Sequence, residues 1–307
     1  MGPEYEYDIT VSPTFKLSNK DIAPLRLEEA IKSSLLSEKD KWIAFHPAQK
    51  RISLKKVLRT RLIVVSSSLI HEFDIVARRF TDPEDARRLF VNAEIALSRK
   101  IKTPRNLALI KVIDGEISAH RSSILVTEKI PSLKSLTRNR INNLSLCNNF
   151  KRTELLEEFM NSFACLHREG IVHGHVFPGY IRYQNLKDKL PEPVFYNLEY
   201  ANVLTDSDLK TKRTNFYKEI NQISTFGYFE KGVYSDLGGI LAQFSFFGFP
   251  MSDKVLLNQA TKMYLHHRKI PDIWRLPSQG KFSLVDFKTD LGNSFTLAKK
   301  VLEVEYR

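Results

Sequence analysis

Residues 166–184 read LHREGIVHGHVFPGYIRYQ and set two imidazoles, His173 and His175, one residue apart. The same stretch carries Gly174, Pro178, Gly179 and Tyr180. Imidazole has the unperturbed pKa nearest neutrality, so His175 could accept a proton from a substrate hydroxyl. A His-x-His pair could also begin a transition-metal site, but no third ligand stands near it in sequence. Further on, VFYNLEYANV (194–203) offers Asn197 and Glu199, oxygen donors of the kind that hold a hard cation. Earlier, VARR (76–79) ends in two guanidinium groups, and Glu94 follows on the next amphipathic segment. Strand alternation groups Phe73, Ile75, Ala77 and Arg79 on one face. Helical spacing puts Glu94 with Phe90, Ala93 and Leu97. An Arg79–Glu94 ion pair tying helix to strand is therefore expected.

The elements that must carry these residues are legible in outline. The first 24 residues are polar with three prolines and read as an extended arm, with a short amphipathic helix expected at 25–36. Strands are expected at 62–65, 73–80, 107–113 and 124–129. Between the second and third of these, TDPEDARRLF opens a helix, with Asp82 as its cap and Pro83 at the first helical position. After Pro131 the pattern turns mainly helical, over 153–168, 206–219, 236–246, 254–266 and 284–304. Short strands are expected at 181–183 and 194–196, and Gly170 is the natural stop of the first of those helices. Asp236 reads as a buried anchor at a helix start. The pair His266-His267, followed by Arg268-Lys269, reads as basic surface. A strand-rich first half followed by a helical second half predicts an α+β fold of two lobes with a cleft between them.

Composition narrows the class. The chain has 307 residues, 42% hydrophobic and 27% charged, in the range of a globular protein. Lys and Arg (47) exceed Asp and Glu (35) by 12, which favours an anionic partner or substrate. Two cysteines are too few for a disulfide framework or a four-thiolate zinc site and fit a reducing compartment. The longest apolar stretch, 238–251, falls short of the ~20 residues of a membrane helix.

Taken together, these strings resemble the protein-kinase-like superfamily, and within it the bacterial lipopolysaccharide core heptose/Kdo kinase family. In the catalytic-loop pattern H-R-D-L-x-x-x-N, His173 takes the His position, His175 the Asp position and Tyr180 the Asn position. VARR puts Arg79 at the Lys position and Ala77 two residues before it, with Glu94 as the acidic partner. LVTEKIPSLKSL (125–136) resembles the run into the interlobe hinge, with Glu128 and Ile130 as nucleotide-pocket positions. VFYNLEYANV stands where the family carries its metal-binding Asp; Asn197 occupies that position and Glu199 keeps the later acid. YSDLGGILAQF (234–244) resembles a later helix start holding Asp236. The resemblance covers about residues 60–247. It implies a small β-rich N-lobe with one central helix (49–130) and a larger helical C-lobe (131–307), after an N-terminal extension (1–48).

The departures from that pattern fall together. Phosphoryl transfer needs a carboxylate base, hard oxygen ligands for magnesium and a Lys on the nucleotide phosphates. Here those positions hold His175, Tyr180, Asn197 and Arg79. No Gly-rich loop precedes Val76; the nearest stretch is Ser66-Ser67-Ser68. The resemblance thus implies a pseudokinase: no intact catalytic residue, no metal, no cofactor, and His173 and Asp236 kept for structure. It would act by binding or regulating a partner in envelope or lipopolysaccharide biology. The alternative is an active divergent ATP- and magnesium-dependent kinase of a lipopolysaccharide core sugar or other anionic glycolipid. QKRISLKKVLRTR (49–61) gathers Lys50, Arg51, Lys55, Lys56, Arg59 and Arg61 without an acid, the natural contact for an anionic membrane surface or glycolipid. A protein partner is also expected and nucleic acid is not, since no nucleic-acid motif is present. The implied location is cytoplasmic, peripheral to the inner membrane.

Overall fold

The computed structural model describes residues 5–36, 57–65, 69–114, 119–137, 149–176, 181–184, 192–204, 225–268 and 284–305. The chain divides into two compact units, Met1–Ile130 and Pro131–Arg307. The fold is α+β.

The first unit is built on a five-stranded antiparallel sheet. Its strands are β1 (Tyr5–Val11), β2 (Val57–Val65), β3 (Ile70–Phe80), β4 (Asn106–Asp114) and β5 (Ala119–Glu128), in the order β1-β4-β5-β3-β2. Alternation is clear in β2, where Leu62 and Val64 are buried while Ile63 and Val65 are exposed. One face carries Phe73, Ile75, Ala77, Ile124, Val126, Ala108, Ile110 and Val112. It is covered by α1 (Pro13–Ser18) through Phe15, and by α2 (Pro24–Ile31), which runs on through a π-helical turn (Lys32–Leu36). Phe15 meets Phe73 edge-on at 5.4 Å. The other face carries Arg78, Phe80, Leu109 and Leu125, with Arg78 opposite Leu125 and Leu125 opposite Leu109. Helix α3 (Pro83–Ser98) packs against β3, β4 and β5 there; its buried residues, among them Leu89, Phe90 and Ala93, stay outside the first core. Asp82 caps it, accepting from the Glu84 N–H at 2.8 Å.

The N-terminal arm expected from polarity and prolines is instead part of this unit. Residues 5–11 complete an edge of the sheet, and Ser12 and Pro13 start a helix. The polar residues of β1 belong to its exposed side, and proline at a first helical turn starts structure instead of breaking it.

The second unit is mainly helical: α4 (Asn149–Arg168), α5 (Thr225–Phe246), α6 (Asp253–Arg268) and α7 (Leu284–Glu305). α4 packs on α6 and α5 on α7. The α5–α7 approach is close: a Cβ on Gly238 would lie 2.7 Å from the Ser294 carbonyl carbon. Small strands thread between the helices. β6 (Leu133–Ser135), β8 (Ile181–Gln184) and β9 (Glu192–Phe195) form one sheet; β7 (Ile171–Val172) pairs with β10 (Asn202–Val203). α4 ends where Gly170 takes φ 72°, a left-handed turn that an L side chain rarely adopts. The helix expected at 206–219 lies outside the described residues.

Candidate functional site

The His173 loop leaves β7 and is held from beneath by α5. Asp236 lies inside that helix, not at its start; the helix begins about three turns earlier, at Thr225. Its buried carboxylate accepts the backbone N–H groups of His173 (2.6 Å) and Gly174 (2.9 Å). One turn on, Gly239 leaves room for the Val176 carbonyl, which a Cβ would meet at 2.8 Å. Gln243 then donates to that carbonyl at 3.1 Å. Gly174 takes φ 77°, and a Cβ there would sit 2.6 Å from the Tyr200 carbonyl oxygen, so both conformation and space demand glycine. Burial pushes the Asp236 carboxyl up to about 7, against the two N–H groups that hold it down.

A second set of bonds extends the anchor. Asp236 also accepts from His167 Nε2 at 3.2 Å. With that nitrogen donating, His167 Nδ1 accepts from Tyr264 Oη at 2.8 Å, and Tyr264 Oη accepts from Arg268 at 2.7 Å. The donors run in one direction from α6 through α4 to α5. Sequence reasoning missed His167, Tyr264 and Gln243. It read Arg268 as surface, although the i, i+4 spacing of Tyr264 and Arg268 on one helix was a usable signal.

His173 is fully buried and spans to the next strand. Its Nε2 donates to the Tyr196 carbonyl at 2.8 Å; a carbonyl can only accept, so Nε2 carries the proton. Burial pulls its pKa down to about 4, with the Tyr196 carbonyl and the Glu199 charge opposing. His175, half-buried, packs its ring against Tyr200 at 5.1 Å. Asn197 takes the left-handed conformation (φ 62°, ψ 53°) just before a 3₁₀ turn, Leu198–Tyr200. Glu199 in that turn is buried. His173, His175, Asn197, Glu199 and Asp236 are thus brought into one neighbourhood. Tyr180 lies outside the described residues. Among the described residues, no three His, Cys, Asp or Glu side chains converge as metal ligands do.

In the first unit the expected Arg79–Glu94 pair is replaced. Among the described residues no ion pair joins them. Glu94 accepts from Ser12 Oγ (2.8 Å), Thr14 N–H (3.0 Å), Thr14 Oγ1 (2.8 Å) and Asn106 Nδ2 (2.9 Å). Arg79 donates to Ser122 Oγ at 3.3 Å. The physical reason is a strand register: Ala77 belongs to the face beneath α1 and α2, and Arg79, two residues on, shares that face, away from α3. Arg78, one residue earlier, lies on the α3 face, with its guanidinium 4.5 Å from the Phe80 ring centroid. A shift of one residue exchanges the faces. Glu128, at the end of β5, is bound to Arg105 at 2.7 Å, and Ile130 closes the first unit.

Of the basic segment, Lys50, Arg51, Lys55 and Lys56 lie outside the described residues, as do Ser66, Ser67 and Ser68. Arg59 and Arg61 are exposed on β2, and Arg61 is balanced by Glu72 at 3.0 Å and Asp74 at 3.5 Å. No described helix is long and apolar enough to cross a membrane.

No family model matches the chain, and no curated protein matches it. Among solved structures, WaaP in complex with acyl carrier protein matches with a TM-score of 0.51 at 12% identity, covering 98% of this chain and 100% of that one. The likeness is one of fold. It relates the chain to a kinase-like architecture, the class that its loop and strand motifs resemble.

Proposed function

We propose that this chain is a pseudokinase of the lipopolysaccharide-kinase type, acting by binding or regulating a partner and not by phosphoryl transfer. One observation carries the reading. The loop is rigidly held through Asp236, Gly174 and Gln243, while the positions that would bear the base and a metal-binding acid carry His175 and Asn197. A loop held in this way serves shape; catalysis of this class depends on metal and carboxylate electrostatics. The neighbour WaaP is recorded with a protein bound, which suits a protein-partner role here. The basic stretch from Lys50 to Arg61 supports an anionic surface as the second contact, with the chain peripheral to a membrane. Incubation with γ-labelled ATP and magnesium, with lipopolysaccharide core acceptors present, tests the reading. No label is expected in acceptor or protein. Transfer lost on His175→Ala would establish the active, divergent kinase instead.

A further inference from the structure

Glu94 lies on α3 among its buried residues Phe90 and Ala93, and its four hydrogen bonds come from outside the helix. Three of them come from Ser12, the N-cap that joins β1 to α1, and from Thr14 in the first turn of α1. The fourth comes from Asn106, which also donates to the Phe90 carbonyl one turn earlier on α3, at 3.0 Å. Ser12 and Asn106 are buried. Ser12 is fixed twice more, by its N–H to the Leu107 carbonyl (2.9 Å) and by its Oγ, which accepts the Phe15 N–H at 3.1 Å. β1 is paired along all seven residues with β4, and Phe15 is inserted in the core of the opposite sheet face. The link is thus rigid at both ends.

We infer that residues 5–18 are a built-in strap whose Ser12–Thr14 segment holds α3 in one position through Glu94. The strap does the positioning that an ion pair from β3 would do if Arg79 reached the helix. This follows from the first unit alone and holds whether or not the chain binds nucleotide. Glu94 and Thr14 are positioning residues. A carboxylate accepting N–H and O–H donors at two oxygens has little reason to exchange them for a strand cation. The N-terminal segment is therefore the element through which a partner could release the helix.

Hydrogen exchange on the full chain, read by mass spectrometry over residues 83–98, tests this. Thr14→Val keeps shape and removes one bond to a charged acceptor. Loss of such a bond should speed α3 exchange about tenfold to a hundredfold. Thr14→Ser, which keeps the hydroxyl, should restore protection, and Arg79→Ala should leave α3 unchanged. Combining Thr14→Val with Glu94→Gln should add little to Glu94→Gln alone, because the two act on one interaction. Unchanged α3 protection in Thr14→Val would overturn the strap, as would loss of protection in Arg79→Ala. If Glu94→Gln does not fold, the Val and Ser variants at position 14 decide on their own.

Discussion

Replacing Asp236 by Asn changes one atom and turns a group that can accept at both oxygens into one that must also donate through an NH₂. The carboxylate accepts three donors: the N–H groups of His173 and Gly174, and His167 Nε2. An amide oxygen can keep at most part of that set, and its NH₂ group must face a donor. At least one buried donor is left unsatisfied, at a cost of about 1–3 kcal/mol. That is a large share of the roughly 5–15 kcal/mol that stabilises a domain. Urea unfolding followed by circular dichroism should show the helical unit's midpoint falling by about 0.5–1.5 M, for a slope of roughly 2 kcal/mol per M. The first unit does not contain the anchor, so exchange protection of β3–β5 should hold. A midpoint unchanged within about 0.3 M would refute the reasoning, because it would mean that the three bonds hold nothing.

The two buried groups give opposed pH dependences. The Asp236 carboxyl is raised from 3.8 to about 7, so its contribution is full below 3.8 and is lost as pH rises towards 7. His173 is lowered from 6.5 to about 4, so its contribution is full above 6.5 and is lost as pH falls towards 4. Between about pH 4 and 6.5 the slopes cancel, and urea midpoints should be nearly flat. In Asp236→Asn the opposing Asp236 slope is gone, and stability should fall on acidification through the His173 range; parallel profiles for the two proteins would contradict this. For the basic segment, co-sedimentation with anionic vesicles should be strong at low salt and weak at high salt, at about 1 kcal/mol per basic residue near the surface. Lys55→Glu/Lys56→Glu/Arg59→Glu should abolish it, and equal binding by that variant would remove the membrane contact from the account.

What the sequence disclosed, and what it hid, follows from the range of the interactions. Local signals were sufficient for α3, where Asp82, Pro83 and the 3.6 period fix start and face, and for the left-handed stop at Gly170. They also sufficed to mark Asp236 as buried, although its helix starts about three turns earlier, at Thr225. Pairings across the chain were not legible. Glu94 meets Ser12 and Thr14, some eighty positions away, and nothing in a polar, proline-bearing N-terminus announces an edge strand. The arginine pair at 78–79 shows the same limit at short range. Period-two alternation gives the two faces but not which one receives the helix, so Arg79 was set where Arg78 lies. The relay from Arg268 and Tyr264 through His167 to Asp236 joins three helices, and only its Tyr264–Arg268 step, at i, i+4, is legible within one of them.

The proposed pseudokinase would pair a kinase-like scaffold with no metal-dependent nucleotide use. The most direct test is a thermal-shift titration of the intact chain with ATP, with and without magnesium. A ligand at a hundred times its dissociation constant adds about 2.7 kcal/mol to the folded state. For a unit of this size that is a rise of roughly 5–10 °C. No rise is expected with ATP, magnesium or both. A saturable rise that requires magnesium and ATP together would contradict it.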